Sequence, residues 1–451
     1  MKYLIIILVL ICVFSSVNAV TWSRIYGTSE DDYAISAEQT PDGGYIILGY
    51  SEDTLFVQIA WLLKLDEYGD SVWSCYFDSV NSNYYFGGNM DIEVDYDSGY
   101  IIAVNKLINT LESNLRIIKT NNLGIITWDN IFDLHHLSTN DYPYDIDKTS
   151  DNGYIVVCNT QFQNASTFIV KLNQNGDSIW AVNTAEEAYF TSVCEGRYGS
   201  FIATSLDAYP YPPHIVFEYD SLGNILSWHG YNNSNKANDI EMLNDSNYLV
   251  ATNTYFFKID ENLDTIWSRN IGALDVEPCF DGGFVSIYNQ NSDAYLSKYT
   301  NSGDTLWTIQ YGSYGDDFFC CVNRTTDGGY ICCGATNSWG AGGFDYYIVK
   351  TDSLGYALGV EEEFTQQYPE FPNISFENLS SGQVKISFTQ PNDGNLNFSV
   401  YDLSGRMIDQ PLEGFQEDGE YSITLTGYRP GVYFYRMKIG EGEWIGKFQV
   451  Y

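Results

Sequence analysis

Positive charge is scarce in this chain of 451 residues, where 21 Lys and Arg stand against 59 Asp and Glu for a formal net charge of -38. Such a balance repels phosphate backbones and anionic lipid, which argues against nucleic acid or a membrane surface as partner. Histidine is equally sparse, at four residues (His135, His136, His214 and His229), and the adjacent pair reads as an exposed turn rather than a metal site. There is no nucleophile elbow, phosphate loop, His-Glu-x-x-His or Cys-x-x-Cys pattern, so the common hydrolase, nucleotide and metalloprotease sites find no support. Amphipathic helical periodicity is absent, and no apolar run beyond the first 19 residues approaches the length of a membrane span.

What the chain does have is repetition. Tryptophans at 22, 73, 128, 180, 228, 267 and 307 recur at intervals of about 39 to 55 residues. A second signal, Lys-x-(Asp/Asn/Thr)-x-x-Gly, starts at Lys64, Lys119, Lys171, Lys298 and Lys350. Degenerate copies carry Glu218 for the Lys, and Leu263 for the Gly after Lys258. The two series are out of phase: no Lys motif precedes Trp22, and Gly359 stands where a Trp is due after Lys350. Each repeat also holds a turn followed by an aromatic, as in Asp42-Gly43-Gly44-Tyr45, Asp97-Ser98-Gly99-Tyr100 and Asp327-Gly328-Gly329-Tyr330. Asp-Gly and Gly-Gly between alternating runs are hairpin signals.

Four short strands per repeat at this period predict an all-β fold, a seven-bladed β-propeller over residues 20–360, whose first strand completes the last blade. Residues 1–19 read as a secretory signal peptide: Lys2, an apolar stretch from Leu4 to Phe14, and cleavage between Ala19 and Val20. Export permits disulfides, and Cys320-Cys321 with Cys332-Cys333 flank one hairpin, so a cross-strand bridge there competes with free buried thiols.

Aligning the repeats on their turns exposes two columns of acids. Four residues before the turn stand Glu38, Glu93, Asp147, Cys194, Glu241, Glu277 and Asn323. Five repeats thus hold an acid on the first strand and a Lys on the third, which predicts in-blade ion pairs Glu38–Lys64, Glu93–Lys119, Asp147–Lys171, Glu241–Lys258 and Glu277–Lys298. Strands one and three lie about 9.6 Å apart, so the pairing requires a shared face and a small residue between. Two residues earlier come Ser36, Asp91, Asp145, Ser192, Asp239, Asp275 and Cys321. The first strand lines the channel of a propeller, so Asp91, Asp145, Asp239 and Asp275 would ring its mouth and could hold a hydrated cation such as calcium; the competing expectation is carboxylates hydrogen bonded to backbone. No other cofactor or metal is implied.

The repeat pattern, seen best in Tyr26-Gly27, Asp31-Asp32 and Thr40 to Tyr45, and again in Tyr311-Gly312, Asp316-Asp317 and Thr326 to Tyr330, resembles a family of exported bacterial propeller proteins. Past Gly359 the repeat stops. A charged linker spans 361–372, and 373–451 reads as a small Ig-like β-sandwich. Here Val400 to Arg406 (with Gly405), Pro430-Gly431-Val432-Tyr433 to Arg436, and Lys447 resemble the C-terminal sorting domain of type IX secretion cargo. That resemblance implies handling by the type IX machinery and release, or attachment, at the cell surface. The usual Tyr-Pro-Asn-Pro opening is altered to Tyr368-Pro369-Glu370-Phe371-Pro372-Asn373. The expected function is a non-catalytic exported binding protein with a surface glycan or protein ligand. The alternative is a secreted glycan-active hydrolase or lyase working through some of the many carboxylates.

Overall fold

Each repeat folds into four antiparallel strands paired in chain order, since strands adjacent in sequence are the first to meet. In the computed structural model the first blade is Asp32–Gln39, Tyr45–Glu52, Gln58–Leu65 and Ser71–Val80. The structure describes residues 20–52, 57–80, 90–109, 112–134, 140–161, 166–184, 189–206, 214–231, 237–243, 245–358, 360–362, 375–380, 382–390, 393–401, 406–439 and 442–450. The inner strands of the next six blades are Met90–Val94, Asn140–Lys148, Tyr189–Glu195, Ala237–Met242, Asp275–Pro278 and Asp317–Arg324. The seventh blade takes its outer strand from the other end of the chain: Trp22–Tyr26 pairs antiparallel with Asp345–Thr351, with Trp22 opposite Lys350. A short strand, Val360–Glu362, adds in parallel to Trp22–Tyr26, so Glu361 and Glu362 of the acidic run belong to a sheet edge.

A blade is a twisted sheet with two apolar faces, and neither can be buried without a neighbour. Seven of the hydrophobic clusters accordingly lie between successive blades, and one of them joins Trp22 and Tyr346 of the last blade to Tyr45 and Trp61 of the first. The tryptophan and glycine columns are the two halves of one contact. Gly69, Gly124, Gly176, Gly223, Gly303 and Gly355 carry positive φ, and a Cβ on each would lie within 3.0 Å of an atom of Trp22, Trp73, Trp128, Trp180, Trp267 and Trp307 or an adjacent side chain. Each indole of the outer strand therefore lies on a bare backbone turn of the next blade, close to the aromatic that follows that blade's hairpin, as in Trp73–Tyr100 and Trp307–Tyr330.

The seventh case inverts this. Leu263 occupies the glycine position, at φ 63° and fully buried, and Trp228 is 54% exposed where Trp73 is 7%. The leucine fills the space an indole takes in the other six junctions. The Tyr231 hydroxyl donates to Leu263 O at 2.5 Å, the same bond that Tyr26 and Tyr311 make to Gly69 O and Gly355 O at ordinary junctions.

The C-terminal strands form a separate sandwich: a three-stranded sheet (Ser375–Ser380, Gln383–Gln390, Gly419–Thr426) faces a four-stranded one (Met407–Gln416, Gly394–Tyr401, Gly431–Ile439, Gly442–Val450). Their inner faces meet over Ile386, Phe388, Phe398, Val400 and Met437. Of the sorting-motif residues, Arg406 is exposed, and Gly431, Val432 and Tyr433 open a strand. Tyr433 stacks on Phe448, and Lys447 pairs in register with Phe434. Gly405 and Ala19 lie outside the described residues, whereas Val20 packs against the core shared by the last and first blades.

The Trp–Gly contact predicts unequal costs. Trp73→Ala should lower stability by about 3–5 kcal/mol, as for other large-to-small core changes. Trp228→Ala should cost under about 1 kcal/mol, as for exposed positions. Thermal or urea unfolding of the two variants checks this, and equal losses would refute the docking argument.

Candidate functional site

The seven inner strands enclose an axial channel of about 280 Å³, lined by Ser36, Asp91, Asp145, Ser192, Asp239 and Asp275 at one level and by Glu38, Glu93, Asp147, Glu241 and Glu277 at the next. Both acid columns thus point to the axis. In five inner strands the first column follows a one-residue irregularity in pairing, between Ala34/Ser36, Pro143/Asp145, Phe190/Ser192, Ala237/Asp239 and Phe319/Cys321. Bulges of this kind re-aim the following side chain.

The predicted in-blade ion pairs are not what the lysines make. Register confirms a shared face: Glu38 lies opposite Ile46, which lies opposite Lys64, and the same holds for Glu93–Ile101–Lys119 and Asp147–Ile155–Lys171. It also holds for Glu241–Leu249–Lys258 and Glu277–Val285–Lys298. A branched aliphatic therefore stands where a small residue was needed, and acid and base turn away from each other.

The lysines reach the hairpin aspartates instead: Lys64–Asp42 at 3.1 Å, Lys119–Asp97 at 2.6 Å, Lys171–Asp151 at 2.9 Å, Lys298–Asp281 at 2.9 Å and Lys350–Asp327 at 2.9 Å, with Lys258 on Asp245. Lys119 also bonds Asp95. The exceptions agree. The seventh blade has Asn323 in the acid column yet keeps Lys350 and Asp327, while the fourth loses the Lys and the turn Asp together and bonds Glu218 to Ser227. Burial opposes ionisation of Asp151, but hydrogen bonds from Thr149, Lys171 and the Gly153 N–H hold its carboxyl below its ordinary range.

The four channel aspartates stitch blades together. Asp91 accepts the Ile146 N–H at 3.1 Å, Asp145 that of Val193 at 2.7 Å, Asp239 that of Val276 at 3.1 Å and Asp275 that of Val322 at 2.7 Å. In every case the donor belongs to the next blade, one residue past its own belt position. Ser192 continues the belt, donating to Asp239 at 2.9 Å and accepting the Ile240 N–H at 3.3 Å. Asp91 and Asp145 also share a hydrogen bond, as do Asp239 and Asp275. Burial, and then the neighbouring carboxylate, push Asp91 and Asp275 well above the usual range. Burial raises Asp145 to about 7.

At the second level two cations that sequence reasoning passed over join neighbouring blades. Lys148 Nζ meets Glu93 at 2.9 Å and Arg324 Nε meets Glu277 at 3.1 Å. Each directly follows the acid-column position of its own strand, the signal that could have marked them. Asn323 bonds Glu38 at 3.0 Å across the closure between last and first blades. Burial raises Asp147 to about 7 and Glu277 to about 8, and lifts Glu38 and Glu241 well above their ordinary value. Among the described residues no group of three or more His, Cys, Asp or Glu is disposed to hold a metal ion. The eight described cysteines are free thiols, with Cys321 opposite Cys333 in register.

At the channel mouth on the face of the second hairpin loops lies a larger cleft, of about 820 Å³, between the fifth, sixth and seventh blades. The 270–274 connection forms one wall and the hairpin around Asn291-Ser292 the other, with Phe318 and Leu274 shared with the channel below.

Residues 376–451 match the family model described as "Secretion system C-terminal sorting domain". The chain therefore carries the address for export to the cell surface or medium. No curated protein matches it. Among solved structures it is similar to the extracellular domain of a hybrid two-component system from B. thetaiotaomicron, at 11% identity and a TM-score of 0.48, covering 94% of this chain and 57% of that one. It is also similar to virginiamycin B lyase from Staphylococcus aureus, at 9% identity and a TM-score of 0.46 over 73% of this chain and 99% of that one. The WD40 domain of Neurospora crassa Pan2 aligns at 10% identity and a TM-score of 0.44 over 74% and 100%.

Two predictions follow from these charges. A double-mutant cycle should give a coupling above about 1 kcal/mol for Lys171 with Asp151 and near zero for Lys171 with Asp147. The belt fixes the sign of the pH dependence. Asp145, Asp147 and Glu277 keep protons in the folded state that the unfolded chain has released above about pH 4. Stability should therefore fall as pH rises from 5 through 8, by at least about 5 °C in Tm, and Asp145→Asn should flatten that slope. A Tm that rises from pH 5 to 8 would contradict the assignment.

Proposed function

We propose that this chain is an exported, surface-delivered binding protein that engages its ligand at the mouth of the propeller without altering it covalently. The observation that carries the reading is the engagement of the four belt aspartates by the next blade's backbone. A glycosidase needs two carboxyl groups about 5–9.5 Å apart, facing a common void in unlike protonation states. Here the neighbouring belt acids, Asp91 with Asp145 and Asp275 with Asp239, are hydrogen bonded to each other and to the adjoining blade. The channel, at about 280 Å³, lies below the size of common ligand pockets, whereas the mouth cleft, at about 820 Å³, lies within it. Delivery by the type IX machinery puts that mouth in contact with extracellular polymers and proteins.

Two measurements test this. Residues 361–451 fused to an unrelated periplasmic reporter should bring it to the surface of a type IX-competent host; a reporter left in the periplasm removes the address. The purified chain, incubated with a glycan panel with and without chelator, should retain ligand and release no new reducing ends or unsaturated products. Product release would replace binding with catalysis.

A further inference from the structure

We infer that the cleft between the fifth, sixth and seventh blades is a binding site for an uncharged oligosaccharide. This rests on the binding reading above and names its site and ligand class.

The walls are held rigidly before any ligand arrives. Asn289 clamps the sixth blade's hairpin to the seventh blade, its amide donating to Phe319 O at 3.1 Å and accepting the Phe319 N–H at 3.0 Å. The Asp317 N–H donates to Ser292 O at 2.8 Å, fixing the hairpin tip, where Asn291 and Ser292 both adopt positive φ. The opposite wall is tied by the Leu274 N–H to Ile287 O at 2.9 Å and the Ala273 N–H to Thr252 O at 2.8 Å. Pre-ordered walls lower the entropic cost of binding.

The lining has the chemistry of a sugar site. Tyr288, one face of which stacks on Tyr295 at 4.9 Å, and the half-buried Phe344 present aromatic surface suited to the C–H faces of a pyranose, with Phe318 buried beneath them. Phe344 and Phe318 are themselves packed on Tyr33, at centroid distances of 5.3 and 5.9 Å, so their orientation is set from behind. The exposed amides of Asn270, Gln290 and Asn291 make no side-chain hydrogen bond among the described residues. A primary amide donates and accepts at once, which matches hydroxyl groups that do the same. Among the described residues the lining holds no Lys, Arg or His, and its carboxylates are the exposed Asp316 and the buried Asp317, so an anionic polymer meets no counter-charge. A hydrated cation or basic peptide would meet a single exposed carboxylate and a surface otherwise made of amides, rings and the aliphatic 271–274 wall, a poor match for dense positive charge.

The test uses the full-length purified chain and isothermal titration with uncharged gluco-, manno- and xylo-oligosaccharides of four to six units. Oligogalacturonate serves as the anionic probe and a lysine-rich peptide as the cationic one. At least one neutral oligosaccharide should bind with a Kd between about 10 µM and 1 mM, a range of roughly -7 to -4 kcal/mol. The exposed pair Asn270→Ala/Gln290→Ala should weaken that binding at least tenfold with the Tm unchanged. Tyr288→Leu should weaken it as well while Asp91→Asn, in the channel below, leaves it intact. Neutral-sugar binding that survives all cleft substitutions, or no neutral-sugar binding at 10-fold above that range, overturns the cleft assignment. Binding of the peptide or the oligogalacturonate alone sinks the sugar and leaves the binding reading standing; cleavage of a sugar sinks the binding reading and leaves the cleft.

Discussion

The structure depends on the contact between one blade's indole and the next blade's glycine turn. A four-stranded sheet has two faces to cover and no helix to cover them, so stability lies between blades more than within them. A ring is the one arrangement in which every blade has two neighbours, and the pairing of Trp22–Tyr26 with Asp345–Thr351 supplies the last one. Each junction then repeats the same solution: a flat ring on a backbone without Cβ. The fourth-to-fifth junction shows the rule by breaking it, since Leu263 both lacks the bare backbone and fills the space, and Trp228 moves to solvent.

Charge is organised by the same logic. A strongly acidic chain must place carboxylates near its axis without driving the blades apart, and the belt does so by making each aspartate accept from the following blade's backbone. Burial and the neighbouring carboxylate hold Asp91 and Asp275 well above the usual carboxylate range, which lowers the charge where repulsion would be greatest. Lys148 and Arg324 each meet one of the five acids of the next level, Glu93 and Glu277, from an adjacent blade. The lysines of the repeat lie further out and satisfy the hairpin turns, so the axis and the turns form two independent charge systems.

Much of this was legible in the residues. Blade number and closure followed from two periodic signals and their offset, because every copy must present the same apolar faces. The placement of Asp91, Asp145, Asp239 and Asp275 at the channel followed from alternation along one strand. The ion pairing did not, and the reason is steric. Of the two conditions the pairing requires, the shared face is met, but the residue after each hairpin aromatic is branched in every copy (Ile46, Ile101, Ile155, Ile202, Leu249, Val285 and Ile331), and that column decides against contact across it. The same column was in the sequence throughout; what hid its meaning was reading charges without the size of what separates them. The mouth cleft was beyond reach for a different reason. Its residues come from loops of three blades, where the repeat carries no periodic constraint.

That last point bears on where function resides. Positions under repeat symmetry are tied to stitching: indoles to glycines, lysines to turn aspartates, belt aspartates to neighbouring amides. A site that discriminates one ligand needs groups left out of that economy, and these occur where symmetry lapses. In the loops of the fifth to seventh blades, Asn270, Gln290 and Asn291 keep their amides unengaged beside fixed aromatic faces. Asn289 shows the division within a single hairpin: it holds Phe319 with both ends of its amide, and the next two side chains, relieved of structural duty, face the cleft.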